Sequence, residues 1–335
     1  MAHRVTLITG DGIGREVVPA AQKVVEATGV AVQWEEMPAG EMAAEKLGEA
    51  VPEETIASII RNKVALKGPL TNLVARGWAS PNVTLRSKLG LFAQVRRVRH
   101  FDGVPSPYRG VDLIVVREAV EDTYAGVEQK VGPDAAVAIK FATRAASEQV
   151  ARFTMEYARR LGRRKVTVAH KANILKLTDG LFLESARKVA AEFPDLEFND
   201  RMIDNMCFQL VRAPLDYDLI LTTNVYGDIL ADLTAGLVGS LGLGFGGNFG
   251  HAVALFEPVH GTAPNKAGRG ISNPIGEILT ASMMLAHLGE TAAAMAIERA
   301  VERVLKEGKV LTADLGGRAT TAEMTGAIIA ALNQP

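Results

Sequence analysis

The chain has 335 residues, more than one hydrophobic core ordinarily serves, so two domains, or one with a large subdomain, and a cleft between lobes are expected. Its 48% hydrophobic and 22% charged residues describe a globular protein, and no apolar run reaches the roughly 18 to 20 residues of a membrane span. Thirty-seven basic against thirty-eight acidic side chains, a net charge of -1, argue against a general binder of nucleic acid or membrane surfaces, which works through a large positive field.

The first residues, MAHRVTLITG, enter a strand at 5–9 without the charged start, long apolar stretch and cleavage site of a signal peptide, so the cytoplasm is the expected compartment. GDGIG at 10–14 follows this strand and precedes a helix through VVPAAQKVVEAT. A dinucleotide fingerprint needs glycines at its first, third and sixth positions, and here the sixth is Arg15; the acidic residue due about 20 positions later is offered only loosely by Glu35 or Glu36. The motif is read as a tight strand-to-helix turn, with any nicotinamide site elsewhere.

VALKG at 64–68, DLIVVRE at 112–118, VTVAHK at 166–171 and DLILTT at 218–223 read as strands covered on both faces, because their apolar character is continuous rather than alternating. With helical segments between them and no repeat of 20 to 50 residues, the class is α/β and not a solenoid. KLTDGLFLESARKVAAEF is an amphipathic helix, DNMCFQLV a buried one, and the segment after Pro274 a core helix in which Met283 and Met284 are filler. The single cysteine, Cys207, excludes an intrachain disulfide and a cysteine-cluster metal site. HFDGVPSPYRG at 100–110 and LGLGFGGNFG at 241–250 are expected joints; residues 1–99 with 250–335 would then form one domain and 100–249 the other.

The segment SPNVTLRSKLGLFAQVR at 80–96 holds Ser80, Asn82, Arg86 and Arg96, and Arg117 lies near the end of DLIVVRE. Guanidinium groups bind carboxylates bidentately, so these arginines can hold two or three carboxylates; singly, such residues are as readily solvated surface arginines, the reading kept for Arg97 and Arg99. Asp228 and Asp232, in NVYGDILADLTAGLVG, stand four apart, which puts both carboxylates on one face of a helix entered from a strand. Among Ile, Leu and Ala they are costly unless neutralised, and a hard cation such as Mg²⁺ or Mn²⁺ is the natural partner; a helix cap with an exposed face is the alternative. Asp204, opening DNMCFQLV, is a candidate for the same ion. Lys171 ends VTVAHK, two residues before Asn173, and a desolvated lysine there can act as a base; Tyr124, seven residues after Arg117, can donate or relay a proton.

Taken in order, these segments resemble the β-decarboxylating dehydrogenases, the family of isocitrate, isopropylmalate, homoisocitrate and tartrate dehydrogenases. The likeness runs over nearly the whole chain, through GDGIG, GPLT, SPNVTLR, REAVEDTY, HKAN, DNMCFQLV, TTNVYGDILAD, EPVHGTAP and ADLGG. It implies a two-domain α/β fold of the isocitrate/isopropylmalate dehydrogenase type, distinct from the dinucleotide-binding doubly wound fold. The nicotinamide cofactor would lie near His260, Gly261, Thr262 and Ala263, with Thr71 and Asn273 contributing. The resemblance further implies Arg86, Arg96 and Arg117 on substrate carboxylates, Tyr124 and Lys171 in acid-base work, and Asp204, Asp228 and Asp232 around the metal. In this family Lys171 and Asp204 come from the partner subunit, which implies a homodimer with shared active sites.

Within the family the helix of Arg86 reads the substrate's third substituent. Ser80 and Asn82 are the polar pair suited to a further carboxylate, where an isopropyl group calls for an apolar face. The pattern is similar to isocitrate dehydrogenases; homoisocitrate, 3-isopropylmalate and tartrate or malate are the alternatives. Asn265 and Lys266 stand where NAD users of the family present an acid and NADP users hold a 2′-phosphate, and ADLGGRATTAEMTG lacks a tyrosine and arginine pair for that phosphate, which favours NAD over NADP. Two positions depart from the family: Ala119 stands for an asparagine and Arg97 for a proline. The alternative of another class, a non-catalytic regulatory subunit, predicts loss of the base, the tyrosine or a metal carboxylate, all of which this chain retains.

Overall fold

The computed structural model describes residues 2–72 and 79–334. In chain order they form β1 (His3–Ile8), α1 (Gly14–Ala27), β2 (Val32–Glu36), α2 (Glu41–Leu47), α3 (Glu53–Asn62), β3 (Val64–Lys67), α4 (Pro81–Lys88), β4 (Ala93–Arg99) and β5 (Asp112–Glu118). There follow β6 (Glu128–Lys130), β7 (Ala136–Ala138), α5 (Arg144–Arg160), β8 (Lys165–His170), α6 (Thr178–Ala190), β9 (Glu197–Met202), α7 (Ile203–Arg212), β10 (Leu219–Thr222) and α8 (Asn224–Leu237). The chain closes with β11 (Phe245–Phe249), β12 (Ala254–Pro258), α9 (Ile275–His287), α10 (Thr291–Glu307) and α11 (Thr321–Leu332).

Ten strands make one sheet in the order β2-β1-β3-β12-β11-β4-β5-β10-β8-β9, and β6 and β7 pair separately as an exposed hairpin. Both outer parts of the sheet are parallel, while the β12-β11, β11-β4 and β4-β5 pairings at its centre are antiparallel. Parallel strands need crossover helices, which accounts for apolar strands such as β3 and β10 being buried throughout.

The two faces of the sheet are packed differently. On the back, α1, α9, α10 and α11 at one end and α5 and α6 at the other share one continuous apolar core, running from Val5 and Val18 through Val95 and Phe256 to Val168 and Phe182. On the front, the core is divided. Ile8, Ile59 and Leu85 pack beneath α3 and α4, while Leu113, Met206 and Leu230 pack separately beneath α7 and α8. Where the front layer divides, the central strands present polar side chains to a cleft.

The glycine-rich stretch at 241–250, expected as a joint, contains the wholly buried central strand β11. Its glycines serve close packing. A Cβ on Gly246 would lie 2.1 Å from the Val95 carbonyl oxygen, and one on Gly247 would lie 3.0 Å from the Phe256 ring. The segment of Cys207 is a helix, but an amphipathic one: Met206 and Leu210 are buried, Phe208 and Val211 are exposed, and nothing in this chain covers that outer face among the described residues. None of the described helices is long and apolar enough to cross a membrane.

GDGIG forms the expected turn. Gly10 and Gly12 have φ of 74° and 54°, and a Cβ on Gly12 would meet the Thr262 carbonyl oxygen at 2.0 Å. Ile13 N donates to that oxygen at 2.9 Å, and the buried Asp11 carboxylate accepts from Thr71 N at 2.7 Å and Glu41 N at 2.9 Å. The turn therefore ties two loops of the cleft together and has no room for a pyrophosphate against Gly12. Gly12→Ala adds positive-φ strain to a backbone clash, and a loss of roughly 2 kcal/mol or more is expected in urea denaturation; an unchanged midpoint would contradict this account of the turn.

Candidate active site

The cleft encloses about 310 Å³ between α4 and α8, over β4, β5 and β12. Its floor is a chain of buried polar groups. Glu257, ending an otherwise apolar strand, pairs with Lys67 Nζ at 2.9 Å and Arg96 Nη2 at 2.8 Å, and accepts from Gln94 and Asn248, each at 3.0 Å. Burial pushes the Glu257 carboxyl up, but Lys67 and Arg96 beside it hold it well below the usual carboxylate range. Gln94 Oε1 in turn accepts from Arg117 Nη1 at 3.1 Å, and Asn224 Oδ1 accepts from Arg117 Nε at 2.9 Å. Arg117 Nη1 and the Tyr124 hydroxyl both donate to Asp228.

Above this floor, donors and an acceptor are left over. Arg86 Nε and Nη1, Arg117 Nη2 and Asn82 Oδ1 are buried without a partner among the described residues. Burial, with Arg117 adding like charge, pushes the Arg86 guanidinium down to about 10, so it stays charged at neutral pH but is short of counter-charge. Its carbon lies 5.9 Å from the Tyr124 ring centroid, and that of Arg117 lies 4.8 Å from it. Ser80 precedes α4 with Pro81 in the first turn; its hydroxyl makes no cap bond, and it lines the cleft beside Asn82. Arg96 differs from the other two arginines, since it also braces the Glu257 and Pro258 carbonyls at 3.1 Å each.

Asp228 and Asp232 lie one turn apart on α8, as the spacing required. Burial raises the Asp228 carboxyl, but Arg117 and Tyr124 hold it below its ordinary value; partial burial and the charge of Asp228 push Asp232 up. Two carboxylates that repel across one turn are a donor set suited to a hard divalent cation. Lys171 Nζ meets Asp204 at 2.6 Å, and neither residue lines the cleft. Among the described residues, no three metal-ligating side chains are gathered in one place, so one chain does not bring Asp204 to Asp228 and Asp232.

The loop after β12 closes the cleft. His260 and Gly261 line it; the buried Nε2 of His260 has no partner among the described residues, and burial lowers its pKa, leaving a neutral ring with an unused polar atom. Gly261 faces open space, Thr262 rests on the GDGIG turn, and Ala263 has a φ of 38° that starts the exposed turn of Asn265 and Lys266. These features fit a flat cofactor ring and its ribose. Asn273 is more committed than expected: it donates to Asp314 at 3.0 Å and accepts from Ile275 N at 3.0 Å, which leaves one amide hydrogen.

Lys67, Gln94, Asn224, Asn248 and Glu257 are the site residues that sequence reasoning passed over. Glu257 and Lys67 carry the mark by which Arg117 and Lys171 were chosen, a charged group at the end of an apolar strand. Gln94 and Asn248 became visible only through strand register, which places them opposite each other across β4 and β11.

A cleft with buried arginine donors left unpartnered on one side and a carboxylate-bearing helix on the other has the chemistry of a site for a small anion. The sequence profile described as isocitrate/isopropylmalate dehydrogenase matches residues 4–328, and the chain belongs to that family. It is 44% identical, over 98% of this chain and 87% of the relative, to a Drosophila melanogaster protein named "probable isocitrate dehydrogenase (NAD) subunit alpha, mitochondrial". It is 46% identical, over 99% of both chains, to the isocitrate/homoisocitrate dehydrogenase of Thermus thermophilus. A crystal structure of isocitrate dehydrogenase from Methylococcus capsulatus superposes with a TM-score of 0.96 at 49% identity, covering 99% of this chain and 100% of the other. Names among the matching relatives include both NAD and NADP forms.

Between Arg117 and Tyr124 the chain is held by Glu118, which accepts from Val120 N at 2.8 Å and Glu121 N at 2.9 Å, while Ala119 N donates to the Phe92 carbonyl at 3.0 Å. Burial pushes the Glu118 carboxyl up to about 7. The folded state keeps this proton where the unfolded chain releases it, so the contribution of Glu118 to stability is fully present below about pH 4.5 and is lost as pH rises through about 7. Glu118→Gln keeps an acceptor without the titration; its urea midpoint should fall less than the parent's between pH 5 and pH 7.5, and parallel curves would refute this reading.

Proposed function

We propose that this chain oxidises and decarboxylates isocitrate to 2-oxoglutarate, with NAD as electron acceptor and Mg²⁺ or Mn²⁺ as the cation. The observation that carries the reading is the set of unpartnered N–H groups on Arg86 and Arg117, buried beside an unpartnered amide oxygen on Asn82 and next to Ser80. Arg117 is paired with Asp228 through Nη1, but its Nη2 and the buried Arg86 guanidinium are left without an acceptor, which is costly, and a substrate with three carboxylates supplies what they lack.

In this reading Arg86 and Arg117 hold substrate carboxylates through their free donors, Arg96 adds positive charge from the floor, and Ser80 and Asn82 orient the third carboxylate. Asp228 and Asp232, with the partner's Asp204, would hold the cation, and His260, Gly261 and Thr262 would seat the nicotinamide, with Asn265 at the ribose. When bound, the cation stabilises negative charge on the substrate's hydroxyl oxygen and the nicotinamide takes the hydride. The partner's Lys171 takes the proton of the 2-hydroxyl. Tyr124 returns a proton to carbon after CO₂ leaves; burial and its bond to Asp228 raise its pKa, which keeps that proton available at neutral pH.

A second copy of the chain is supported by the apolar outer faces of α7 and α8, where Phe208, Val211 and Ile229 are each more than half exposed. Exchange between identical chains would also supply a Lys171 to each cleft.

Two measurements test the proposal. With NAD or NADP and Mg²⁺, (2R,3S)-isocitrate should be turned over faster than homoisocitrate, 3-isopropylmalate or D-malate, followed at the nicotinamide absorbance; equal inactivity of all would favour a regulatory subunit. Lys171→Met and Asp228→Asn should each lower kcat by roughly a thousandfold or more while leaving the circular dichroism unchanged; full turnover in either variant would refute the assigned roles.

A further inference from the structure

Directly behind the active cleft, across one layer of sheet, lies a second cavity of about 300 Å³. Successive residues of a strand point to opposite faces. Arg96 and Glu257 therefore serve the cleft, while Arg97 and Phe256 line the back, joined by Phe245 and Phe249 of β11. One wall is the end of α5 with Tyr157 and Arg160; the other is α9 and α10 with Ala286 and His287. The two walls belong to opposite ends of the sheet, as α4 and α8 do at the front. The central strands floor both spaces, so a rotation about them that narrows the front cleft widens the back cavity.

The lining has a definite chemistry. Among the lining rings, Phe249 and Phe256 meet edge to face at 5.7 Å, and Tyr157 is held by Phe153, which stacks on it from outside the lining at 5.5 Å, giving apolar aromatic walls. Arg160 is exposed at the rim, 4.9 Å over the Tyr157 ring, and makes no ion pair among the described residues. Arg97 lies 5.7 Å from the Phe245 ring centroid and commits only Nε and Nη2 to Asp112. The lining carboxylate, Glu298, lies 3.4 Å from Arg99. We propose that this cavity is a regulatory site for a planar aromatic carboxylate, its ring between the aromatic walls and its carboxylate on Arg160 and Arg97, and that occupancy there is coupled to the width of the cleft.

Calorimetric titration of the intact protein with naphthalene-2-carboxylate tests the site without requiring turnover. Saturable binding of one molecule per chain is expected, roughly tenfold weaker for Arg160→Gln and for uncharged 2-naphthylmethanol. Binding should be lost in Ala286→Phe, whose new ring fills the cavity from an exposed helix position. A melting midpoint matching the parent's would show that Ala286→Phe folds, and Arg160→Gln tests the site independently of it. No saturable binding, or undiminished binding in both variants, would overturn the site. Hydrogen exchange with the probe bound should change in the first turn of α8 and in residues 260–263, on the opposite face of the sheet; unchanged exchange there would overturn the coupling.

Discussion

The carboxylate of Glu257 organises this molecule. It is buried, it accepts from two cations and two amides, and each of those partners lies on a different strand or reaches a different part of the cleft. Lys67 ties it to β3, Arg96 and Gln94 to β4, and Asn248 to β11, so one anion fixes the register of the central strands from the front. Removing it would strand Lys67 and Arg96 as buried unpaired charges, which typically costs several kcal/mol. The parallel and antiparallel parts of the sheet join here, and here the apolar packing of the front layer is interrupted.

That interruption explains why the site lies where it does. The apolar core is continuous on the back; on the front the divided apolar core exposes the edge of each half to a polar floor, and there the buried charged groups of the central strands gather. The same strands serve both purposes because their side chains alternate, with Arg96, Glu257 and Asn248 forward and Arg97, Phe256 and Phe249 behind. Gly247 opposes Phe256 and lets its ring lie flat against β11, so a glycine run in sequence becomes a packing surface in the fold.

Sequence reasoning picked out charged and phenolic groups that line the cleft and passed over the groups that hold them. Arg86, Arg117, Tyr124 and Asp228 could be picked out because a charged or phenolic group at a strand end or helix start stands out against apolar neighbours, and the structure draws them together. The buried strands were legible for the same reason. Gln94 and Asn248 were not, since their value comes from facing each other across two strands more than 150 residues apart. Strand β11 was not foreseen as a strand because glycine signals a turn locally, whereas here its missing Cβ answers to Val95 and Phe256, contacts that no local pattern encodes.

Arg117 shows how the floor and the site become one device. A Cβ on Gly227 would lie 2.5 Å from the Arg117 side chain, so α8 can approach β5 closely enough to clamp the arginine stem only because that residue is glycine. Nε is then spent on Asn224 and Nη1 on Gln94 and Asp228, which aims the single free group, Nη2, into the cleft. An arginine held at three points has little rotamer freedom left to lose when an anion arrives, so more of the charge-assisted bond appears as affinity. Asp228 is drawn to the same guanidinium and lies one turn from a carboxylate it repels. In the proposed reading a cation entering with the substrate would relieve the repulsion between the two aspartates. On that proposal, binding of the anion and binding of the cation would favour each other through the placement of one side chain.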